Sequence, residues 1–98
     1  MSKLPVPLVF DWDKSNIDKN WEKHRVRYKE AEEVFFNKPL RIFPDKKHLG
    51  TEKRFVAFGA TNKRRKLTII FTIRVELIRI ISARDQSRKE RRQCVKEN

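Results

Sequence analysis

Two apolar runs, Leu67 to Ile73 and Leu77-Ile78-Arg79-Ile80-Ile81-Ser82-Ala83, constrain this chain more than anything else in it, because they are rich in β-branched residues and stand only a short turn apart. A connection that short suits antiparallel neighbours, so the pair reads as a hairpin about Val75-Glu76. Side chains alternate across a strand. A two-residue and a four-residue loop therefore both put Thr68, Ile70, Thr72 and Arg74 on one face with Leu77, Arg79 and Ile81. Leu67, Ile69, Phe71 and Ile73 share the other face with Ile78 and Ile80, and that apolar face must be covered by helices. Arg79 and the strand-end Arg84 are guanidiniums in a segment that otherwise reads as buried strand, and Arg79 marks the more open, working face. The structural alternative is that Arg74 or Arg79 pairs with a carboxylate, or lies along apolar surface with its head in water.

The rest of the chain divides by period. Leu8 to Trp12, after the stiffening Pro5 and Pro7, reads as a short strand. Asp13 or Ser15 caps a helix from about Lys14 to Lys23, with Ile17, Trp21 and His24 as its inward stripe. Tyr28, Ala31, Val34 and Phe35 signal a second helix, which Pro39 stops. Leu40 to Phe43 and Arg54 to Ala60 add two strands, so four strands in a meander are expected. Ser87 and Glu90 have capping-box spacing, which starts a basic last helix.

At 98 residues the chain fits one domain spanning 1–98 with a modest core. Seven Phe and two Trp suffice to build that core despite 39% charged residues. Lys and Arg number 25 against 13 Asp and Glu, and the resulting net charge of +12 favours a polyanionic partner: RNA, DNA or an acidic protein. Cys94 stands alone, and no run approaches the roughly 20 apolar residues of a membrane span. With no signal-peptide pattern at the N-terminus, a cytoplasmic protein without membrane contact is expected. His24, His48 and Cys94 are scattered, so neither a metal nor another cofactor is expected. Paired carboxylates, a Ser/His/Asp order, a Cys/His nucleophile and a glycine-rich phosphate loop are absent, since only Gly50 and Gly59 occur.

Metal-free cleavage of RNA is what the family resemblance given below implies, and the residues can be matched to its needs. That reaction needs a group to take the 2′-hydroxyl proton, cations for the charge growing on phosphorus-bound oxygens, and a proton for the leaving 5′-oxygen. His24 titrates near neutrality and can exchange a proton; as the end of a helix it can equally serve only to meet the negative end of the dipole. Arg74 and Arg79 offer planar forks that match phosphate oxygens, and with His24 they form the expected catalytic set. Lys23, Arg54 and Arg84, with Lys63, Arg64 and Arg65 of the basic loop, are the expected phosphate binders, against the plainer reading of solvated charge. Glu52 is a base or a salt-bridge partner, and His48 is a solvent-exposed loop residue.

Phe10-Asp11-Trp12-Asp13-Lys14, Asn20 with Lys23-His24, the Ala31 to Phe35 helix, Pro39-Leu40, Glu52 with Arg54-Phe55, Gly59 and Ile78 to Arg84 together resemble the BrnT toxins, in this order and over nearly the whole chain. The resemblance implies an α+β, RelE-like fold: a small antiparallel sheet with two N-terminal helices packed on one face and a C-terminal helix. It implies a ribonuclease toxin of a bacterial type II toxin–antitoxin pair that inhibits translation and growth. It also implies a BrnA-type antitoxin, with a homodimer or a toxin–antitoxin heterotetramer as the assembly. The family usually has Gly after the helix-ending His, where this chain has Arg25, and its hairpin turn usually has a Gly that Val75-Glu76 lacks. From another class comes a non-catalytic RNA-binding or ribosome-associated module, in which the basic loop and tail only hold phosphates.

Overall fold

The computed structural model describes residues 4–45 and 53–96. Its elements run α1 (Lys14–His24), α2 (Tyr28–Val34), β1 (Arg41–Pro44), β2 (Arg54–Ala60), β3 (Lys66–Arg74), β4 (Leu77–Asp85) and α3 (Arg88–Lys96). The four strands form one antiparallel sheet in the order β1-β2-β3-β4, the expected meander. His48 and Glu52 lie outside the described residues, as does the side chain of Cys94.

Asp13 starts α1, accepting hydrogen bonds at Oδ1 from the backbone and hydroxyl of Ser15, both at 2.8 Å. The helix ends on Arg25 in the left-handed region, φ 54° and ψ 37°, where the backbone N–H groups of Arg25 and Val26 close back on Trp21 and Asn20. Arg25 thus takes the exit that Gly would take at lower cost. The expected inward stripe of α1 is corrected. Trp21 is exposed, its ring approached by the Arg25 and Arg27 guanidiniums at 5.1 and 5.0 Å, while Asn20 is the buried position. Asn20 Oδ1 accepts from the Ala83 N–H at 3.2 Å, so a polar residue was the better anchor for a helix lying against a strand edge. α2 ends at Val34, with Phe35 as cap, before Pro39 can act.

α1 and α2 lie over one face of the sheet, and Val26, Ala31, Val34 and Phe35 meet Ala57, Leu67, Ile69, Phe71, Ile78, Ile80 and Ala83 in the core. Phe71 sits at its centre, edge-on to Phe35 at 5.1 Å and stacked with Phe55 at 5.5 Å. Full burial of such a side chain contributes about 1.5–3 kcal/mol. α2 comes so near β2 that a Cβ on Gly59 would meet Val34 Cγ1 at 2.7 Å, which makes Gly the residue that fits there.

The N-terminal segment is not the strand that Leu8 to Trp12 suggested. It makes a single parallel bridge, Phe10 with Ile78, through Ile78 N–H to Val9 C=O at 2.9 Å and Asp11 N–H to Ile78 C=O at 2.8 Å. Together with Asn20 it occupies the outer edge of β4.

The hairpin turn contains two residues, Val75 and Glu76, at φ 50° and 64°. Such a turn matches the twist of the strands but suits Asn-Gly far better than a β-branched residue. Replacing the pair (Val75→Asn with Glu76→Gly) should therefore stabilise the protein by about 1–3 kcal/mol, read as a raised midpoint in thermal denaturation followed by circular dichroism. An unchanged or lowered midpoint would mean the turn is not strained.

Candidate nucleic-acid interface

α1 and α2 cover one face of the sheet, and among the described contacts α3 touches the other only where Glu90 meets Thr68 and Arg84. The strand register sorts the residues of that second face into rows. Arg41, Phe58, Thr68 and Arg84 form one row; Phe43, Val56, Ile70 and Ser82 the next; then Arg54, Thr72 and Arg79; and last Arg74 with Leu77. Strict alternation would have sent Arg79 and Arg84 to opposite faces. The register instead slips between Ile70 and Phe71, where Phe71 pairs Ile80 but Ile70 pairs Ser82, so Ile81 is the extra residue of a bulge. This corrects the expected placing of Ile81 beside Arg79: Ser82 and Arg84 take that face instead.

In the third row, Arg54 and Arg79 are the direct cross-strand neighbours of Thr72 on either side. Thr72 is buried, and its Oγ1, like Asn20 Nδ2 and Gln86 Oε1, has no hydrogen-bond partner among the described residues. An unpaired buried hydroxyl costs about 1–3 kcal/mol, and here it stands between two guanidiniums, where a ligand oxygen could meet it. Arg79 is only loosely engaged, with Nη2 at 3.8 Å from Asp13 Oδ2 and both side chains partly exposed. The Asp13 carboxyl is held below its ordinary value first by the side-chain and backbone bonds from Ser15, with the Arg79 charge a lesser cause. Arg74 is exposed in the neighbouring row of the same face.

Arg84 and Arg65 are each held by carboxylates. Arg84 forks onto Glu90, Nη1 to Oε1 at 2.8 Å and Nη2 to Oε2 at 2.9 Å. Thr68 Oγ1 and the Ser87 N–H donate to the same carboxylate, and the Glu90 N–H donates back to Ser87 Oγ at 3.1 Å, completing the expected capping box. These bonds, those from Arg84 foremost, pull the Glu90 carboxyl down to about 2. Arg65 grips Asp85 through Nε at 2.7 Å and Nη2 at 3.1 Å, and donates to the carbonyls of Arg25 and His24 at 2.7 and 3.0 Å. Its bonds are the first cause of the lowered Asp85 carboxyl.

His24, half-buried at the end of α1, lies in this Arg65–Asp85 neighbourhood, with exposed Lys23 beside it and exposed Lys63 and Arg64 in the β2–β3 turn. From Asp85 back to Arg79, β4 runs roughly 20 Å. The structure therefore brings Arg54, Arg79 and Arg74 together on one end of the open face, and places His24 and Lys23 with the β2–β3 turn at the other end of the molecule. Thr72 was missed as a site residue, although a hydroxyl facing away from the apolar side of β3 was a readable signal. Among the described residues no three His, Cys, Asp or Glu side chains gather as a metal-holding group, and no helix is long and apolar enough to cross a membrane.

The Arg84–Glu90 clasp yields a pH dependence. Because folding lowers the Glu90 carboxyl, its contribution is complete above the ordinary value of 4.5 and is lost as pH falls toward about 2. The thermal midpoint should fall over that interval, and Glu90→Gln should flatten the fall; parallel curves for the two proteins would show that the clasp carries no stability.

A family model described as the ribonuclease toxin, BrnT, of type II toxin–antitoxin systems matches residues 12–90. The crystal structure of the Brucella abortus ribonuclease toxin BrnT is similar in fold, with a TM-score of 0.63 at 24% sequence identity, covering 83% of this chain and 99% of that one. No curated protein sequence matches.

Proposed function

Because the chain belongs to the BrnT family, ribonuclease toxins of type II toxin–antitoxin systems, we propose that its open sheet face binds RNA and cleaves it without a metal ion. In this reading cleavage inhibits translation and growth in the bacterial cytoplasm, and a BrnA-type antitoxin neutralises it. The observation that carries the proposal is the Arg54–Thr72–Arg79 row with its unpartnered hydroxyl.

RNA carries its own nucleophile, so the protein's task is to hold the phosphate and stabilise charge. The 2′-hydroxyl gives its proton to water as its oxygen attacks the neighbouring phosphorus, and negative charge grows on the non-bridging oxygens. The P–O5′ bond breaks as the 5′-oxygen takes a proton from water. Two guanidiniums flanking a hydroxyl supply fixed donors for those oxygens, and the planar fork of Arg79 binds two of them at once. Arg74 extends the same positive field along the face. His24, Lys23, Lys63 and Arg64 act in this proposal on RNA flanking the scissile bond, since β4 separates them from Arg79 by roughly 20 Å. Arg65 and Arg84 act through the fold, their charges being bound to Asp85 and Glu90.

Thr72→Val separates function from stability. Removing a buried hydroxyl that has no protein partner should leave the fold as stable or about 1 kcal/mol more so, while cleavage of a labelled RNA falls. Loss of stability with cleavage per folded molecule intact would make Thr72 structural. Arg79→Lys should keep the fold and most RNA affinity yet lose roughly two to three orders of magnitude in cleavage, the effect of removing one preorganised donor. Wild-type binding that weakens steeply with salt while the RNA stays whole would instead establish the non-catalytic RNA-binding module.

A further inference from the structure

Between the basic rows of the open face runs an apolar band that the phosphate chemistry leaves unused. Phe43 is 39% exposed and Val56 and Ile70 are half-buried in the middle row, with the Phe58 ring 6.0 Å from that of Phe43 and inclined 58° to it. α1 and α2 occupy the opposite face, and α3 meets this one through Glu90 at Thr68 and Arg84 in the adjoining row. A second copy of the chain would set +12 against +12 across the band.

A single-stranded nucleotide fits both parts of this surface. It joins a flat π-face to a phosphate, and side chains on neighbouring strands one row apart lie about 7–8 Å from each other. Phe43 stands in that diagonal relation to Arg54. Resting on the ribonuclease reading above, we propose that Phe43, backed by Phe58, stacks one unpaired base of the RNA whose phosphate lies at the Arg54–Thr72–Arg79 row. The site then requires an unstacked base, which excludes duplex RNA. It also tolerates any base there, because every base offers a π-face.

The test uses a fluorescent 2′-O-methyl RNA of about eight nucleotides, within the usual site size of small single-strand binders. The blocked 2′-oxygens prevent cleavage, so the readout is affinity alone. A second probe has the same backbone with its central bases removed. Phe43→Leu, which keeps an apolar residue on the strand, should weaken the intact probe by roughly 5- to 100-fold, leave the abasic probe unchanged, and leave the salt slope unchanged. Equal affinity of variant and wild type for the intact probe overturns the proposal. So does equal weakening of both probes by a variant that is folded by circular dichroism, since contact would then be with the backbone. Loss of antitoxin binding with RNA affinity intact also overturns it and assigns the band to the protein partner. Base-dependent stacking by a protein that leaves ordinary RNA whole would sustain the stacking site and defeat only the ribonuclease reading.

Discussion

Arg65 leaves the β2–β3 turn and reaches three other elements: Asp85 at the end of β4, the carbonyls of His24 and Arg25 at the end of α1, and Glu30 in α2 at 3.4 Å. Asp85 is largely exposed, so its ion pair with Arg65 contributes on the order of 1 kcal/mol or less. Shared geometry matters more than that contribution. Arg25 occupies a left-handed conformation that costs a non-glycine residue about 1–2 kcal/mol, and the Arg65 bond to its carbonyl fixes the peptide that needs holding. The layer of α1 and α2 is thereby pinned to the far end of the sheet and kept off the opposite face.

That free face owes its composition to one inserted residue. Without the bulge at Ile81, Arg84 would point into the helical layer and Ala83 would leave the core, where it fits close beneath α1. With the bulge, Ala83 meets Asn20, and Arg84 meets Glu90 and carries the start of α3. The two arginines that look alike in sequence then part in role. Arg84 has a bidentate carboxylate, whereas Arg79 has one distant oxygen.

The hairpin, the meander, the apolar face of β3 and the capping box at Ser87 were all legible in the sequence, because each is written in local alternation or spacing. The bulge was not, since a one-residue slip leaves no mark in a run as uniformly apolar as Ile80-Ile81. Trp21 misled because a large ring at helical spacing signals a core, while here the strand edge needed a hydrogen-bonding Asn20 and Trp21 was covered by arginines. Of the candidate site, the shared face of Arg74 and Arg79 followed from period two alone. The separation of His24 did not, as it depends on where α1 crosses the sheet.

The bridge between Phe10 and Ile78 joins the beginning of the chain to its final strand. On the ribosome those partners emerge far apart in time: Val9 and Asp11 are made long before Ile78, at about 5–20 residues per second. Until β4 arrives, the first residues have no strand to lie on, and once it has formed its outer edge stays open to other strands until they return. The edge-covering residues are thus made first and wait for their strand, and a nascent chain held back before β4 emerges presents β3 as an edge to whatever strand reaches it first.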